Sequence, residues 1–298
     1  MQALVTGATG FIGGRLALEL VGAGHAVRCL VRDRSRAEDL ASEGCELHEG
    51  DLLDGASLTG AGAGVEVAYY LVHSMGRGGD QAGFAERERR AAGNFARMAR
   101  ADGIERVVYL GGLGDQPGSE HLASREETGT VLADEGPPLT WFRAGMVIGP
   151  GSESYRMLRY LVARLPAMIA PAWLRNRTQP IAIDDVLAYL VQAAERPQSA
   201  GRQIQIGGPD VVTYADLIAM MADVLGVRRR PQVPVPFLSP RLSSLWIGLV
   251  TPVDAGVARP LIESLAVETV VTDSSGQELF DVKPTPVVDA LSAAATAR

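Results

Sequence analysis

The chain has 298 residues, a hydrophobic fraction of 47% and a formal net charge of −7. This apolar content is ample for a buried core, so a disordered chain is not expected, and the acidic balance argues against a general nucleic-acid-binding surface. The length allows one large α/β domain or one domain with a smaller lobe.

The spacing of the cysteines bears on metal binding, and the lengths of the apolar stretches bear on membrane insertion. Cys29 and Cys45 lack the spacing of a metal or redox motif, so we expect no metal site. The first residues already read as a strand, so no signal peptide is expected. The apolar stretches are shorter than the roughly 18 to 20 residues that a membrane-spanning helix needs. We therefore expect a cytoplasmic protein with no transmembrane segment.

The first fourteen residues, MQALVTGATGFIGG, predict a strand, a glycine-rich turn and a helix. A dinucleotide-binding turn needs this order, in which the first glycine permits the tight turn, the second admits a pyrophosphate and the third allows close helix packing. The helix N-terminus then faces the phosphates. A purely structural turn is the alternative. The predicted cofactor-binding residues here are Gly7, Thr9, Gly10, Phe11, Ile12 and Gly13.

Several segments are similar to one superfamily. TGATGFIGG has the spacing G-x-x-G-x-x-G, which resembles the extended and atypical branches of the short-chain dehydrogenase/reductases. YYLVHSM, VVYLGGLG and LSSLWIGLVTPV resemble a subgroup near the nucleotide-binding accessory subunit of respiratory complex I, beside the NmrA-like regulators and some quinone reductases. The resemblance covers nearly the whole chain. It implies an α/β fold, a Rossmann-type doubly wound parallel sheet, and an NAD(P) cofactor, and says little about the reaction.

The residues after the second predicted strand, 26–31, bear on the choice of cofactor. The residue at this strand end meets the adenosine ribose in such folds. Arg32 stands there, with Arg34 and Arg36 close behind. An arginine accommodates a 2′-phosphate, so NADP(H) is favoured over NAD(H). Because Asp33 is an acidic neighbour, binding of NAD(H) is also allowed. The alternative is that these arginines form a solvated basic loop with no role in cofactor binding.

Two further strand ends supply candidate cofactor contacts. Residues 46–52 predict a third strand, and its Asp51 and Leu52 resemble the adenine-side pair of the superfamily. Residues 65–72 predict a fourth strand. Because ligands of open α/β sheets bind at the carboxyl ends of strands, Val72, His73 and Ser74 are expected near the nicotinamide ribose. His73 is also a candidate proton donor, and a backbone contact with an incidental side chain is the alternative.

The catalytic pair of the superfamily is missing. Its reductases generally use a tyrosine as acid and a lysine four residues later, which lowers the tyrosine pKa and holds the nicotinamide ribose. Here His121 and Arg125 stand in those places, and the chain's single lysine is Lys283. Arg125 can bind ribose hydroxyls through its several donors. His121 is a candidate acid because histidine titrates near neutral pH; an exposed residue at a helix start is the alternative.

The later part of the chain predicts a second lobe. Residues 178–186 resemble the extended-branch segment that returns to the main domain, where an aspartate would cap a helix over 187–195. The proline-rich, apolar segment 233–260 is expected to line or cover a cleft, or to contact a partner subunit or a membrane surface. We therefore assign residues 1–150 and about 178–208 to the dinucleotide-binding domain. Residues 151–177 and about 209–298 form a smaller C-terminal substrate-side lobe.

Three classes of function remain. The first is an NADPH-dependent reductase of a quinone or carbonyl compound, which would be a small apolar substrate. The second is a non-catalytic NADP(H)-binding redox sensor or assembly protein, which the missing tyrosine and lysine favour. A sugar-nucleotide epimerase or dehydratase is the third, and it depends most heavily on the missing pair.

Overall fold

The structure is a computed structural model that describes residues 1–72, 83–114, 120–165, 168–229, 231–234, 263 and 265–297. Seven parallel strands form the main sheet. Its strands are β1 Gln2–Thr6, β2 Ala26–Val31, β3 Glu46–Glu49, β4 Val67–Tyr70, β5 Arg106–Gly112, β6 Leu139–Ala144 and β11 Arg202–Ile206. The remaining strands are β7 Val147–Ile148, β8 Met168–Ala170, β9 Arg177–Thr178, β10 Ile181–Ala182, β12 Val212–Thr213 and β13 Gln232–Pro234.

The strand order of the main sheet is β11-β6-β5-β4-β1-β2-β3, with every neighbouring pair parallel. The chain moves outward from β1 to β3 and then returns to add β4 on the other side of β1. This reversal creates a crevice at the carboxyl ends of β1 and β4, where open α/β sheets bind their ligands. The predicted doubly wound parallel sheet is confirmed.

The helices of the described residues are α1 Gly13–Gly22, α2 Glu38–Ser42, α3 Phe84–Ala101, α4 Glu120–Glu135, α5 Glu153–Arg164, α6 Ile183–Glu195, α7 Tyr214–Val224, α8 Ser275–Leu279 and α9 Val287–Thr296. Some of them cover the two faces of the main sheet. On one face α1 and α6 pack together, and Leu16 and Leu190 join the apolar core there. On the other face α3 packs on α4, with Phe95 and Leu132 in that core.

A third apolar core lies away from the sheet. It joins α5, α7 and α9 through side chains such as Leu158, Leu217 and Leu291. Three two-stranded ladders, β7 with β10, β8 with β13 and β9 with β12, accompany these helices. The division of the chain into the two residue sets given above stays a prediction.

Some predicted element ends are wrong. The third strand, Glu46–Glu49, and the fourth strand, Val67–Tyr70, are shorter than 46–52 and 65–72. After the third strand the chain leaves the ladder, and the Asp51 N–H donates to Ser57 Oγ at 2.9 Å. The predicted aspartate cap of α6 is also wrong: the helix begins earlier, at Ile183, and has no side-chain cap. Its Asp185 carboxylate accepts instead from the Thr285 N–H and hydroxyl, at 2.7 and 3.0 Å.

The described residues contain no helix that is both long and apolar enough to cross a membrane. The segment 235–262, which holds most of the predicted proline-rich stretch, lies outside the described residues. Its proposed contacts with a cleft, a partner subunit or a membrane surface stay predictions.

Candidate functional site

The turn between β1 and α1 is built from backbone groups that leave no room for side chains. Gly7 has a φ of +67°, and a Cβ there would lie 2.6 Å from the Leu71 carbonyl oxygen. A Cβ on Gly13 would lie 2.3 Å from the Gly7 carbonyl oxygen. The same oxygen accepts from the Gly10 N–H at 2.9 Å. Gly7 and Gly13 are therefore required by the turn itself, whether or not a ligand is bound.

The N-terminus of α1 offers free hydrogen-bond donors. Its N-cap residue, Ile12, provides no side-chain cap. Among the described residues, no group accepts a hydrogen bond from the N–H of Phe11, Ile12 or Gly13. Unpaired N–H groups at a helix N-terminus, together with the helix dipole, bind anions. The turn therefore fits a dinucleotide pyrophosphate.

Arg15 connects this turn to the loop after β7. Its guanidinium donates to the Phe11 carbonyl oxygen at 2.8 Å and to the Pro150 carbonyl oxygen at 2.9 Å, and it lies 4.7 Å from the Phe11 ring centre. A Cβ on Gly151 would lie 3.2 Å from the same ring. These contacts hold the glycine-rich turn against the loop after β7.

Arg32 and its neighbours occupy the end of β2 as predicted. Asp33 uses Oδ1 to accept from the Ser35 hydroxyl at 2.6 Å and the Ser35 N–H at 3.0 Å, and these bonds lower the pKa of Asp33. Arg34 donates to the Leu47 carbonyl oxygen at 3.0 Å. Arg32 is exposed and has no ion pair with a described residue. The neighbours thus hold the loop, and Arg32 is available to an anionic ligand.

Asp51 and Leu52 have mainly structural contacts. Asp51 Oδ1 accepts from the Leu53 N–H at 2.9 Å. Leu52 is buried in the apolar core, and its carbonyl oxygen accepts from Asn94 Nδ2 at 2.8 Å. Asn94 therefore ties α3 to the loop that follows β3. The contacts of Asp51 and Leu52 with an adenine stay predictions.

A cleft of about 520 Å³ begins at the turn and extends to α5 and α7. It brings together six predicted residues: Thr9, Gly10, Phe11, Ile12, Val72 and Arg125. The other predicted residues with described side chains, Gly7, Gly13, Arg32, Asp51 and Leu52, do not line it. His73 and Ser74 lie outside the described residues, as does the side chain of His121, whose backbone belongs to the first turn of α4. A catalytic role of His73 or His121 stays a prediction.

Arg125 projects from α4 to the carboxyl end of β5. Its Nη2 donates to the Leu110 carbonyl oxygen at 2.6 Å, while the Tyr109 hydroxyl donates to the Arg125 carbonyl oxygen at 3.0 Å. Nε is buried and has no partner among the described residues. Burial raises the pKa of Tyr109 to about 12, an effect that the nearby Arg125 charge opposes. Arg125 is the one cation among the described lining residues, and Glu153 is the one carboxylate.

Arg143 supports the strand ends beneath Arg125. This side chain of β6 donates to the Gly112 carbonyl oxygen at 3.2 Å and the Gly114 carbonyl oxygen at 2.8 Å, and it pairs with Glu126 at 3.3 Å. Because Glu126 follows Arg125 on α4, the ion pair also holds that helix at the cleft. The sequence interpretation missed this role, since it depends on a contact between a strand and a helix that precedes it.

The far wall of the cleft is apolar. It is formed by α5, α7 and two flanking loops, with the side chains Met157, Leu158, Leu161, Trp173, Leu217, Ile218 and Leu265. The sequence did not predict this wall, and residues 233–260 were expected to line the cleft instead. The helical spacing of Met157, Leu158 and Leu161 was the available signal, but the same spacing is typical of an ordinary packed helix.

Comparisons with known proteins agree with this geometry. Residues 7–137 match a family model described as NAD(P)H-binding. The chain is 29% identical to (4-alkanoyl-5-oxo-2,5-dihydrofuran-3-yl)methyl phosphate reductase of Streptomyces griseus, over 75% of this chain and 73% of that protein. It is 26% identical to photosystem II assembly factor Ycf39 of Cyanophora paradoxa, over 80% of this chain and 73% of that protein.

The fold is also found in a solved oxidoreductase. The NADPH-dependent quinone oxidoreductase of Escherichia coli, solved in complex with NADPH, superposes with a TM-score of 0.77 at 22% identity, covering 98% of this chain and 99% of that chain. A likeness at this identity establishes the fold. Residues 7–137 are therefore an NAD(P)H-binding domain, in a chain that has the same fold as this oxidoreductase.

Proposed function

We propose that the protein is an NADPH-dependent reductase of an apolar quinone or carbonyl compound. One observation carries the proposal: a single cleft joins the uncapped end of α1 to the apolar wall formed by α5 and α7. The cofactor end offers N–H donors and Arg125, whereas the opposite end offers aliphatic and indole surface. A hydride acceptor with a flat apolar frame matches that wall.

Arg125 is the residue proposed to assist the reaction. Bound NADPH supplies the hydride. Hydride uptake would leave negative charge on the acceptor oxygen, and the Arg125 guanidinium at the cleft would stabilise that charge. Arg125 cannot act as the acid, because a guanidinium stays protonated in proteins. A quinone suits this arrangement, since its reduced oxygens can take protons from water.

The preference for NADPH is part of the proposal and rests on Arg32. One carboxylate oxygen of Asp33, Oδ1, already accepts two hydrogen bonds from Ser35. Arg32 is exposed at the strand end and has no ion pair among the described residues. A 2′-phosphate would provide the anion that a guanidinium binds in two-point geometry.

The printed names of the similar proteins favour reduction as the reaction. One relative is named a reductase of a (4-alkanoyl-5-oxo-2,5-dihydrofuran-3-yl)methyl phosphate, and the solved neighbour is named an NADPH-dependent quinone oxidoreductase. The apolar wall also speaks against a sugar-nucleotide substrate, whose hydroxyls and phosphates need polar partners. These points support the choice among the three classes but do not identify the acceptor.

A paired substitution on α5 tests the proposal. Ser154 lines the cleft and is half-buried, whereas Arg159 is exposed on the same helix and does not line it. In S154W the indole should fill the space of the acceptor and lower kcat/KM for a naphthoquinone by about tenfold or more, the scale of a lost binding pocket. R159W is the matched control and should leave the rate unchanged. The assay follows NADPH absorbance at 340 nm and NADPH affinity in parallel.

Equal rates in S154W and R159W would place the reaction outside this cleft. No NADPH consumption by the unmodified protein with any quinone or apolar carbonyl would remove the reductase proposal itself. Both outcomes leave the NAD(P)H-binding domain unaffected.

The second candidate is a non-catalytic NADP(H)-binding protein. It is favoured by the absence of the tyrosine and lysine pair and by the similarity to a photosystem II assembly factor. The rate of NADPH release separates the two candidates. Typical enzymes turn over at about 1 to 1,000 per second, so release on that scale agrees with a reductase. Release over hours would favour the non-catalytic candidate.

A further inference from the structure

Tyr214 is a buried hydroxyl group in the apolar part of the cleft. It is the first residue of α7, is 7% exposed and lines the cleft beside Leu217 and Ile218. The start of the helix is fixed by a capping box: Thr213 Oγ1 accepts from the Asp216 N–H at 3.1 Å, and Asp216 Oδ2 accepts from the Thr213 N–H at 3.1 Å. The position of the tyrosine backbone is therefore well determined.

Two threonine hydroxyls lie beside the Tyr214 phenol. Thr178 and Thr269 have side-chain oxygens 2.8 Å apart and are both buried. Burial raises the pKa of Tyr214, and hydrogen bonding with Thr269 and Thr178 opposes part of that rise. Tyr214 therefore stays protonated at neutral pH and keeps a hydrogen to donate.

Backbone hydrogen bonds fix the positions of these two threonines. Thr178 and Thr269 form an isolated parallel bridge. The Thr269 N–H donates to the Arg177 carbonyl oxygen at 3.0 Å, and the Thr269 carbonyl oxygen accepts from the Gln179 N–H at 2.8 Å. We call Tyr214, Thr178 and Thr269 the hydroxyl cluster.

The hydroxyl cluster lies near the carboxyl ends of the sheet strands. A Cβ on Gly145, which directly follows β6, would lie 3.4 Å from Thr269 Oγ1. On its other side the Tyr214 ring meets the Trp173 indole edge-on, with ring centres 6.5 Å apart. The tyrosine is thus held between the strand ends and the apolar wall.

We propose that the Tyr214 hydroxyl donates a hydrogen bond to an oxygen of the acceptor substrate, and that Thr178 and Thr269 position it. The proposal rests on the proposed reductase function and adds a specificity-determining residue to it. A buried hydroxyl among mostly apolar side chains favours a ligand that carries an acceptor, because that ligand gains a hydrogen bond that a ligand without an acceptor cannot make. The expected class is therefore an apolar frame with a carbonyl or quinone oxygen.

Equilibrium binding to the NADP⁺ complex tests the hydroxyl directly, since no hydride is available there. The probe is 1,4-naphthoquinone, and the signal is the quenching of tryptophan fluorescence, to which Trp173 contributes from its place beside Tyr214. Y214F should weaken binding by about tenfold, the scale of one lost buried hydrogen bond. Y155F is the matched control: Tyr155 is equally buried, its hydroxyl has no partner among the described residues, and it does not line the cleft. That variant should bind as the unmodified protein does.

A second ligand and a second variant exclude a merely structural effect. 2-Methylnaphthalene, which has no oxygen, should bind equally to Y214F and to the unmodified protein. T269V removes a positioning hydroxyl and should weaken naphthoquinone binding without changing NADP⁺ affinity.

The proposal is overturned if Y214F binds naphthoquinone as tightly as the unmodified protein, or if the unmodified protein does not bind it at all. Failure of the reductase function gives a different result, in which the quinone binds in a Tyr214-dependent way and NADPH is not consumed.

Discussion

The substitution G13A should separate the geometry of the turn from ordinary helix propensity. A methyl group on Gly13 would lie 2.3 Å from the Gly7 carbonyl oxygen and 2.7 Å from its carbonyl carbon. Both atoms are backbone, so no side-chain rotation can relieve the overlap. The helix must move away by about 1 Å to reach ordinary contact, and overpacking of this kind costs about 1–3 kcal/mol. The shift also displaces the free N–H groups at the start of α1.

G22A is the control within the same helix. A methyl group there has nothing within 4 Å. Replacing glycine by alanine in a helix stabilises it by up to about 1 kcal/mol. The two alanines therefore have the same propensity effect and differ in the contact that each one makes.

Chemical denaturation and NADPH titration give the two readouts. We expect G13A to lower the free energy of unfolding by about 1–2 kcal/mol and to weaken NADPH binding by about tenfold or more, because hydrogen bonds to charged groups contribute about 1.5–3 kcal/mol each. G22A should bind NADPH normally and be as stable as the unmodified protein or slightly more so. If G13A matched G22A in both readouts, the requirement for glycine at the third position would be refuted.

Two more substitutions test the roles proposed for Arg125, which lines the cleft, and for Arg32, which follows β2. R32A should weaken NADPH binding by about tenfold, because a charge-assisted hydrogen bond is lost. NADH binding should be unchanged in the same titration. Equal losses for both cofactors would contradict the proposal that Arg32 binds the 2′-phosphate. R125M should lower kcat for a quinone by about 10- to 100-fold, within the range seen when a single charge-stabilising donor is removed, and should weaken NADPH binding by a smaller factor. Unchanged kcat in R125M would show that Arg125 does not stabilise the reduced acceptor.

The fold was predictable because its determinants are local. The run from Ala3 to Gly13 contains a strand, a turn and a helix start in eleven residues, and the three glycines meet backbone constraints inside that run. Alternating strands and helices then allow few other topologies. Errors in element ends followed from side chains with distant partners. Asp185 reads as a helix cap in the sequence, but its carboxylate binds Thr285, a hundred residues later.

The substrate side of the cleft was not predictable for the same reason. Tyr214 looks like the opening residue of an amphipathic helix, and nothing in the sequence connects it with Thr178 and Thr269. The two threonines are separated by 91 residues and become neighbours only through a backbone bridge. Arg125 could be found because the family pattern gives its position a role in cofactor binding, whereas no such role was predicted for Tyr214.

The bridge between Thr178 and Thr269 joins distant parts of the sequence at the cleft. The glycine-rich turn and Arg32 depend on strands β1, β2 and β4, which all lie within the first 70 residues. Leu265 and Thr269 line the other side of the cleft and come much later in the sequence. Substitutions in these two parts of the sequence therefore change opposite ends of one cleft, and their effects on ligand binding are separable.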